Sequence, residues 1–266
     1  MIRVGWHAWI WGEGGYLPCE SVPLTDVGFR LGYSAFETIA VRDGVPLFLA
    51  EHLSRLIETA EFLGLTWPPS ALGAEIIRPV LANLSGMARL YITGGDGLDL
   101  QTSRIYLLLE NRPFPAEESY QTGWKLRTGS TPHAPMFGGR KTGSYAAQLK
   151  VNVESHLKHN VDETLLFNEK EELISAAFSN VFWVQDGQLM TPPKSTGARA
   201  GVVREWVMNH FPVTEQIIHR ASMEQIEEIF LTNSRIGIMS ACELDGRKLA
   251  LEIALKIRRD YFRAIA

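Results

Sequence analysis

Lys141 lies in the stretch GGRKTGSYAAQ, Gly138 to Gln148. Two glycines lead the chain to a pair of cations, Arg140 and Lys141, and a turn of small residues then opens what reads as a helix running towards Lys158. Partial positive charge gathers at a helix N-terminus and disfavours a cation there. Arg140 adds a second charge beside the amine. Both effects favour a neutral lysine, and a neutral amine is a nucleophile towards carbonyl carbon. The alternative is an ordinary solvated lysine.

Other patterns offer less chemistry. GGRKTGS misses the phosphate-loop spacing G-x-x-x-x-G-K-[ST], because Arg140 separates Gly139 from Lys141 and Pro135 stands where the first glycine belongs. GYSAF ends in Phe36 rather than the glycine of a nucleophile elbow, and a strand follows it. His156 and His159 fall about one helical turn apart without a third ligand, so no metal site is expected.

The elements around Lys141 follow from residue patterning. AFETIAVRDGVPLFL reads as strand, Asp43-Gly44 turn and strand. A helix follows with Leu53, Leu56, Ile57, Ala60 and Leu63 on one face, ended by Gly64. PSALGAEIIRPVLANL predicts a second helix bent at Pro79, and ARLYITGG and SRIYLLLEN predict paired strands. RPFPAEESYQTG has two prolines and little pattern, which predicts a linker over 113–122 between a smaller domain, 1–112, and a larger one, 123–266. The second half continues with a strand, the Lys141 segment and its helix, then strands to Pro193 with a hairpin turn at Gln185–Gly187. Helices are expected after Gly201, over MEQIEE and at the C-terminus. Strands and helices mix without strict alternation, so the fold class is α+β.

Composition sets limits. The chain has 266 residues, 45% of them hydrophobic, and a net charge of −4. That suffices for one large or two modest domains with a core, and slight acidity argues against nucleic acid as a partner. Cys19 and Cys242 make neither a disulfide framework nor a metal motif, which points to the cytoplasm. MIRVGWHAWIWGEGG has no basic region followed by a long apolar run, so no secretory leader is expected, and no apolar stretch is long enough for a membrane span.

Five pieces occur in one order: GFRLGYSAFETIAVRDG with EHLSRL, Lys141, LISAAFSNVFWVQDGQLMTPP, ARAGVVREWV and FLTNSRIGI. In order, spacing and residue type they resemble the fold-type IV pyridoxal-phosphate enzymes, which include branched-chain and D-amino-acid aminotransferases and aminodeoxychorismate lyases. The resemblance covers nearly the whole chain. It implies a two-domain α+β architecture with pyridoxal 5′-phosphate in the interdomain cleft, and a homodimer. It further implies that Lys141 joins the cofactor aldehyde as a Schiff base and that Arg55 grips its phosphate. Arg55 is then expected to serve cofactor affinity rather than fold stability. Val202 and Val203 would offer backbone N–H groups to the same phosphate, Ser234 a hydroxyl, and Tyr145 a contact to the phenolic oxygen.

The departures shape the expected reaction. The family's glutamate for the pyridine nitrogen lies five residues before the asparagine of SNVF, and here Ser175 stands there; Glu171 and Glu172 reach that register only if the strand slips. Gly94 replaces the carboxylate-binding arginine of the D-amino-acid aminotransferases, so Arg199 or Arg30, with Tyr33, is expected to meet an amino-acid-like substrate. The length is similar to that of the lyases. The expected function is therefore a 4-amino-4-deoxychorismate lyase-type elimination releasing pyruvate, a step of folate biosynthesis. The alternatives are an aminotransferase for branched-chain or D-amino acids and a non-catalytic cofactor-binding descendant.

Overall fold

The computed structural model of the protein describes residues 6–98, 100, 102–134 and 136–266. They divide into two compact units, Met1–Phe114 with Lys141–Ser144, and Pro115–Arg140 with Tyr145–Ala266.

The first unit is built on strands β1 (Trp6–Gly12), β2 (Gly15–Cys19), β3 (Ser34–Arg42), β4 (Val45–Pro46), β5 (Gly86–Thr93) and β6 (Arg104–Glu110), in the order β2-β1-β6-β5-β3-β4. Their pairings are antiparallel. Asp43 (φ 48°) and Gly44 (φ 79°) are both left-handed, as the tight β3–β4 turn requires. Helices α1 (Val27–Leu31), α2 (Leu49–Phe62) and α3 (Ala74–Leu81) complete the unit. Leu56 and Ala60 of α2 pack with Ala35, Ile39 and Val41, the inward face of β3. The helix expected over 69–84 is broken. Pro69–Leu72 makes one 3₁₀ turn, Gly73 is extended, and α3 starts afresh with Pro79 in its last turn.

The second unit carries β7 (Trp124–Thr128), β8 (Glu163–Phe167), β9 (Leu173–Ala176), β10 (Asn180–Gln185), β11 (Gln188–Thr191), β12 (Val213–Glu215), β13 (Glu228–Asn233), β14 (Gly237–Leu244) and β15 (Arg247–Lys248). Their order is β12-β11-β10-β13-β14-β7-β8-β9, with β15 beside β14. Helices α4 (Glu117–Thr122), α5 (Ala146–His159), α6 (Val202–His210) and α7 (Glu252–Ala264) accompany this sheet. β14, β7 and β8 run parallel, and most other pairings are antiparallel. The mixture makes the fold α+β. The core gathers Leu165, Phe167, Trp183, Leu231 and Met239.

The linker expected over 113–122 is largely α4. Tyr120 in it is buried and donates to Ile236 O at 2.8 Å, so this segment belongs to the second core. Two prolines masked the pattern, because they precede the helix rather than interrupt it. The stretch MEQIEE before β13 contributes to a 3₁₀ segment, Arg220–Gln225, in place of a helix. No helix among the described residues is long and apolar enough to cross a membrane, and none of their His, Cys, Asp and Glu side chains cluster as a metal site.

Candidate active site

Lys141 belongs to the first unit because it pairs with β3. Phe36 N–H donates to Lys141 O at 3.0 Å, Thr142 bridges Ala35, and Gly143 N–H donates to Ser34 O at 2.9 Å. Glycine is needed at 143, where a Cβ would lie 2.3 Å from Ser34 Oγ. The segment is thus extended, and α5 begins five residues later, at Ala146. That corrects the expected source of lysine activation: the helix dipole fades within the first turn and does not reach back to Lys141. What lies against the amine is an aromatic face, which attracts its charged form. Lys141 Nζ lies 4.3 Å from the Phe36 ring centroid, and Phe36 stacks on Tyr91. Left-handed Phe137, Gly138 and Gly139 turn the chain into Arg140, whose guanidinium returns to Phe137 O at 3.1 Å.

Next to Phe36 is Glu37, a buried carboxylate of β3 that is 1% exposed. His52 and Arg55, three residues apart on α2, converge on it. His52 Nδ1 is 2.8 Å from Glu37 Oε2, and Arg55 donates from Nε to Oε1 at 2.6 Å and from Nη2 to Oε2 at 2.7 Å. Burial alone would push the Glu37 carboxyl up. The Arg55 charge and the bonds from His52 and Arg55 outweigh it and hold the carboxyl below its usual range. Burial lowers the His52 pKa despite the bond to Glu37, and the Arg55 and Lys141 charges lower it further. His52 is therefore neutral with its proton on Nδ1, since a carboxylate only accepts. Arg55 is where the sequence places a phosphate ligand, but its fork is set on Glu37. Whatever it gives to cofactor affinity, Arg55 neutralises a buried charge of the fold, a role the sequence reading did not include.

Two other expected residues of this unit have defined places. Tyr33 donates its hydroxyl proton to Leu63 O at 2.7 Å, which leaves only its oxygen lone pairs for a substrate. Arg30 is exposed on α1. Gly94 has a steric reason to lack a side chain, because a Cβ there would sit 2.5 Å from Val27 Cγ2.

In the second unit Tyr145 and Arg199 meet. Arg199 donates from Nη1 to the Tyr145 hydroxyl oxygen and from Nε to Gly139 O at 3.1 Å. The Tyr145 ring stacks on Phe178 with centroids 6.4 Å apart. Arg199 is also fixed through its backbone, since Asn180 Nδ2 donates to its carbonyl at 2.7 Å. Gly201 follows as the N-cap of α6, and a Cβ there would fall 1.9 Å from Asn180 Oδ1. No side chain caps this helix, so the N–H groups of its first residues, Val202 and Val203, are suited to an anion.

Ser175 is half-buried on β9, opposite Leu166 of β8. Neither nearby acid takes its place. Glu171 pairs with Arg220, and Glu172 accepts from Asn168 Nδ2 at 2.8 Å. Ser234 lies in the turn after β13, which Asn233 ties down by accepting from the N–H groups of residues 235 and 236 at 2.9 Å.

Two acids escaped the sequence reading. Glu37 was visible as a charge within an otherwise apolar strand. Glu163, on β8, is fully buried and accepts from Phe178 N–H at 2.6 Å and Ser179 Oγ at 2.7 Å. Burial pushes its carboxyl up to about 7 against the pull of those bonds. It fixes the backbone of Phe178, whose ring supports Tyr145.

Residues 34–244 match the family model for amino-transferase class IV, and the chain belongs to that family of pyridoxal-phosphate-dependent enzymes. The branched-chain-amino-acid aminotransferase of Pseudomonas aeruginosa is 23% identical over 87% of this chain and 83% of its own. The crystal structure of 4-amino-4-deoxychorismate lyase from Pseudomonas aeruginosa is 27% identical, with a TM-score of 0.82 over 97% of this chain and 98% of that one. A hypothetical aminotransferase from Mycobacterium tuberculosis, solved in its PLP-bound form, shares the fold at 18% identity, with a TM-score of 0.81 over 98% of this chain and 100% of that one.

Proposed function

We propose that this chain holds pyridoxal 5′-phosphate through Lys141 and catalyses a 4-amino-4-deoxychorismate lyase-type elimination that releases pyruvate. The observation that carries the reaction type is the commitment of Glu171 to Arg220 and of Glu172 to Asn168, which leaves neutral Ser175 in the register of the family's acid.

The residues present fit the cofactor. Lys141 is an amine on a backbone fixed to β3, and the α6 N-terminus is an uncapped anion site. The fit at Arg55 is narrower, because Nε and Nη2 already hold Glu37. When bound, the cofactor supplies a carbonyl carbon for amines and a ring that takes up electrons from the substrate α-carbon. Lys141 Nζ would hold it and would move the proton of the substrate α-carbon. Tyr145 accepts an N–H bond from Arg199, so its own proton can be directed at a phenolate oxygen. Arg199 offers the positive charge for a substrate carboxylate. A carboxylate at position 175 would keep the pyridine nitrogen protonated and strengthen the electron sink, whereas a serine hydroxyl cannot. Elimination tolerates that weakness, because a leaving group on the neighbouring carbon departs as the proton is removed. Amino transfer needs the electrons stored until a proton returns elsewhere.

The second reading is an aminotransferase for branched-chain or D-amino acids, favoured by the name of the Pseudomonas aeruginosa relative. The test supplies 4-amino-4-deoxychorismate and, separately, common L- and D-amino acids with a keto-acid acceptor. Pyruvate release without net amino transfer is expected. Amino transfer without pyruvate release would establish the second reading instead, and no reaction with either would leave a non-catalytic descendant. The reading includes a homodimer, supported by Leu149, Val153 and Leu157, an exposed apolar stripe at four-residue spacing on α5. It also includes a cytoplasmic location, supported by two unpaired cysteines.

A further inference from the structure

A cavity of about 460 Å³ lies within the second unit, lined by none of the residues assigned above to cofactor or substrate. Arg127 stands near the end of β7, Ser130 and Thr131 follow it, Ser155 and Lys158 come from α5, and Arg220 comes from the segment before β13. His159 and Glu154 complete the charged lining. Glu154 is the single acid there and is paired with Lys150. Neither Arg127 nor Lys158 joins an ion pair among the described residues. On α5 the cavity residues 151, 155 and 158 lie on a different face from the apolar stripe of Leu149, Val153 and Leu157, so the two surfaces are separate.

Arg220 is the most constrained of these cations. Its Nε donates to the Glu171 carboxylate, its Nη1 donates to Gly129 O at 2.7 Å, and its guanidinium lies 4.1 Å from the Phe167 ring centroid. Its Nη2 is buried and has no hydrogen-bond partner among the described residues. A buried donor without an acceptor is costly, and a charge-assisted bond is the strongest way to satisfy it. Lys158 and His159 also suit the C-terminus of α5. That does not account for Arg127 and Arg220, which reach the same cavity from other elements.

We propose that this cavity binds a small phosphorylated molecule, recognised through its phosphate group. Three permanent cations match a dianion, and the Ser130, Thr131 and Ser155 hydroxyls supply further donors to its oxygens. The volume exceeds that of a phosphate group, leaving room for the rest of a small metabolite. The site contains none of the residues proposed to touch the cofactor or substrate.

The test measures binding of inorganic phosphate and of glycerol phosphate by calorimetry, on protein saturated with pyridoxal phosphate so that the cofactor's own phosphate position is filled. Saturable binding of one equivalent is expected, with glycerol phosphate at least as tight as inorganic phosphate. The double variant Arg127→Gln/Lys158→Gln should bind at least tenfold more weakly, with its melting temperature and its turnover in the absence of added phosphate unchanged. Arg220→Lys, which retains charge but not the fork, should weaken binding with less effect on folding than truncation. Equal affinity in parent and double variant would overturn the proposal. Tight, salt-dependent binding of a short single-stranded DNA with no binding of either phosphate would also overturn it, in favour of a polyanion surface.

Discussion

Replacing Arg55 with alanine strands a buried charge. Glu37 is 1% exposed and receives three hydrogen bonds, two of them from the Arg55 fork at 2.6 and 2.7 Å. Breaking a buried ion pair by removing one partner costs about 3–5 kcal/mol. Arg55 is 17% exposed, so water can enter the space it leaves, and the lower end of about 3 kcal/mol applies. For a chain of this size that is about 6–12 °C in the melting temperature. The effect should grow with pH. In the parent the Glu37 carboxyl is depressed, so its contribution is complete above the usual carboxylate range and is lost only as pH falls through its folded value. In Arg55→Ala burial dominates, the carboxyl rises above its unfolded value, and stability is lost as pH rises through that new value. The assay is thermal and urea unfolding of cofactor-free protein between pH 5 and 8. Glu37→Gln combined with Arg55→Ala removes the stranded charge and should recover at least half of the loss. An Arg55→Ala protein within about 0.5 kcal/mol of the parent at pH 8 would refute the reasoning, since that is the size of an ordinary surface substitution.

Other expectations follow from the same geometry. The Glu163 carboxyl is raised to about 7 by burial, so its neutral form favours folding below the unfolded carboxylate value and that stability is lost as pH rises through about 7. The loss is at most about 3 kcal/mol, and Glu163→Gln should flatten the stability profile between pH 5 and 7. Gly201→Ala forces a Cβ onto Asn180 Oδ1 and should weaken pyridoxal-phosphate binding at least tenfold by loosening the α6 N-terminus, as a fluorescence titration would show. Arg199→Leu removes the partner of the Tyr145 hydroxyl and should raise KM for a carboxylate substrate more than it lowers kcat. An unaltered KM would count against Arg199 as the substrate's anchor. Ser175→Glu should increase conversion of the cofactor to pyridoxamine phosphate by amino acids, measured from the absorbance of the bound cofactor.

Much of the architecture was legible because the elements near the site are strongly patterned. The apolar run of AFETIAV, the Asp43-Gly44 turn and the apolar face of α2 each have one physical solution. The link between the units was not legible, because α4 is short and its one buried anchor, Tyr120, pairs with a carbonyl more than a hundred residues away. Lys141 was readable as a residue type in context, but its surroundings were not. Its small neighbours form an extended pairing with β3, and the partner strand lies far back in the chain. Arg55 showed the opposite failure. The helix pattern placed it well, yet its partner Glu37 follows from a charged residue in the middle of a buried strand, a signal that outweighs any motif on α2. Glu171 and Glu172 stay outside the register of position 175, as their spacing implied, and their partners Arg220 and Asn168 are ones that no local pattern announces.

The central claim is that Lys141 is the covalent anchor of the cofactor. Purified protein incubated with pyridoxal 5′-phosphate, reduced with borohydride, digested and mapped by mass spectrometry reports this directly. The account predicts one pyridoxyl group per chain, on the peptide carrying Lys141, with no label in Lys141→Ala. A label on Lys150 or Lys158, or a colourless protein that takes up no label, would contradict it.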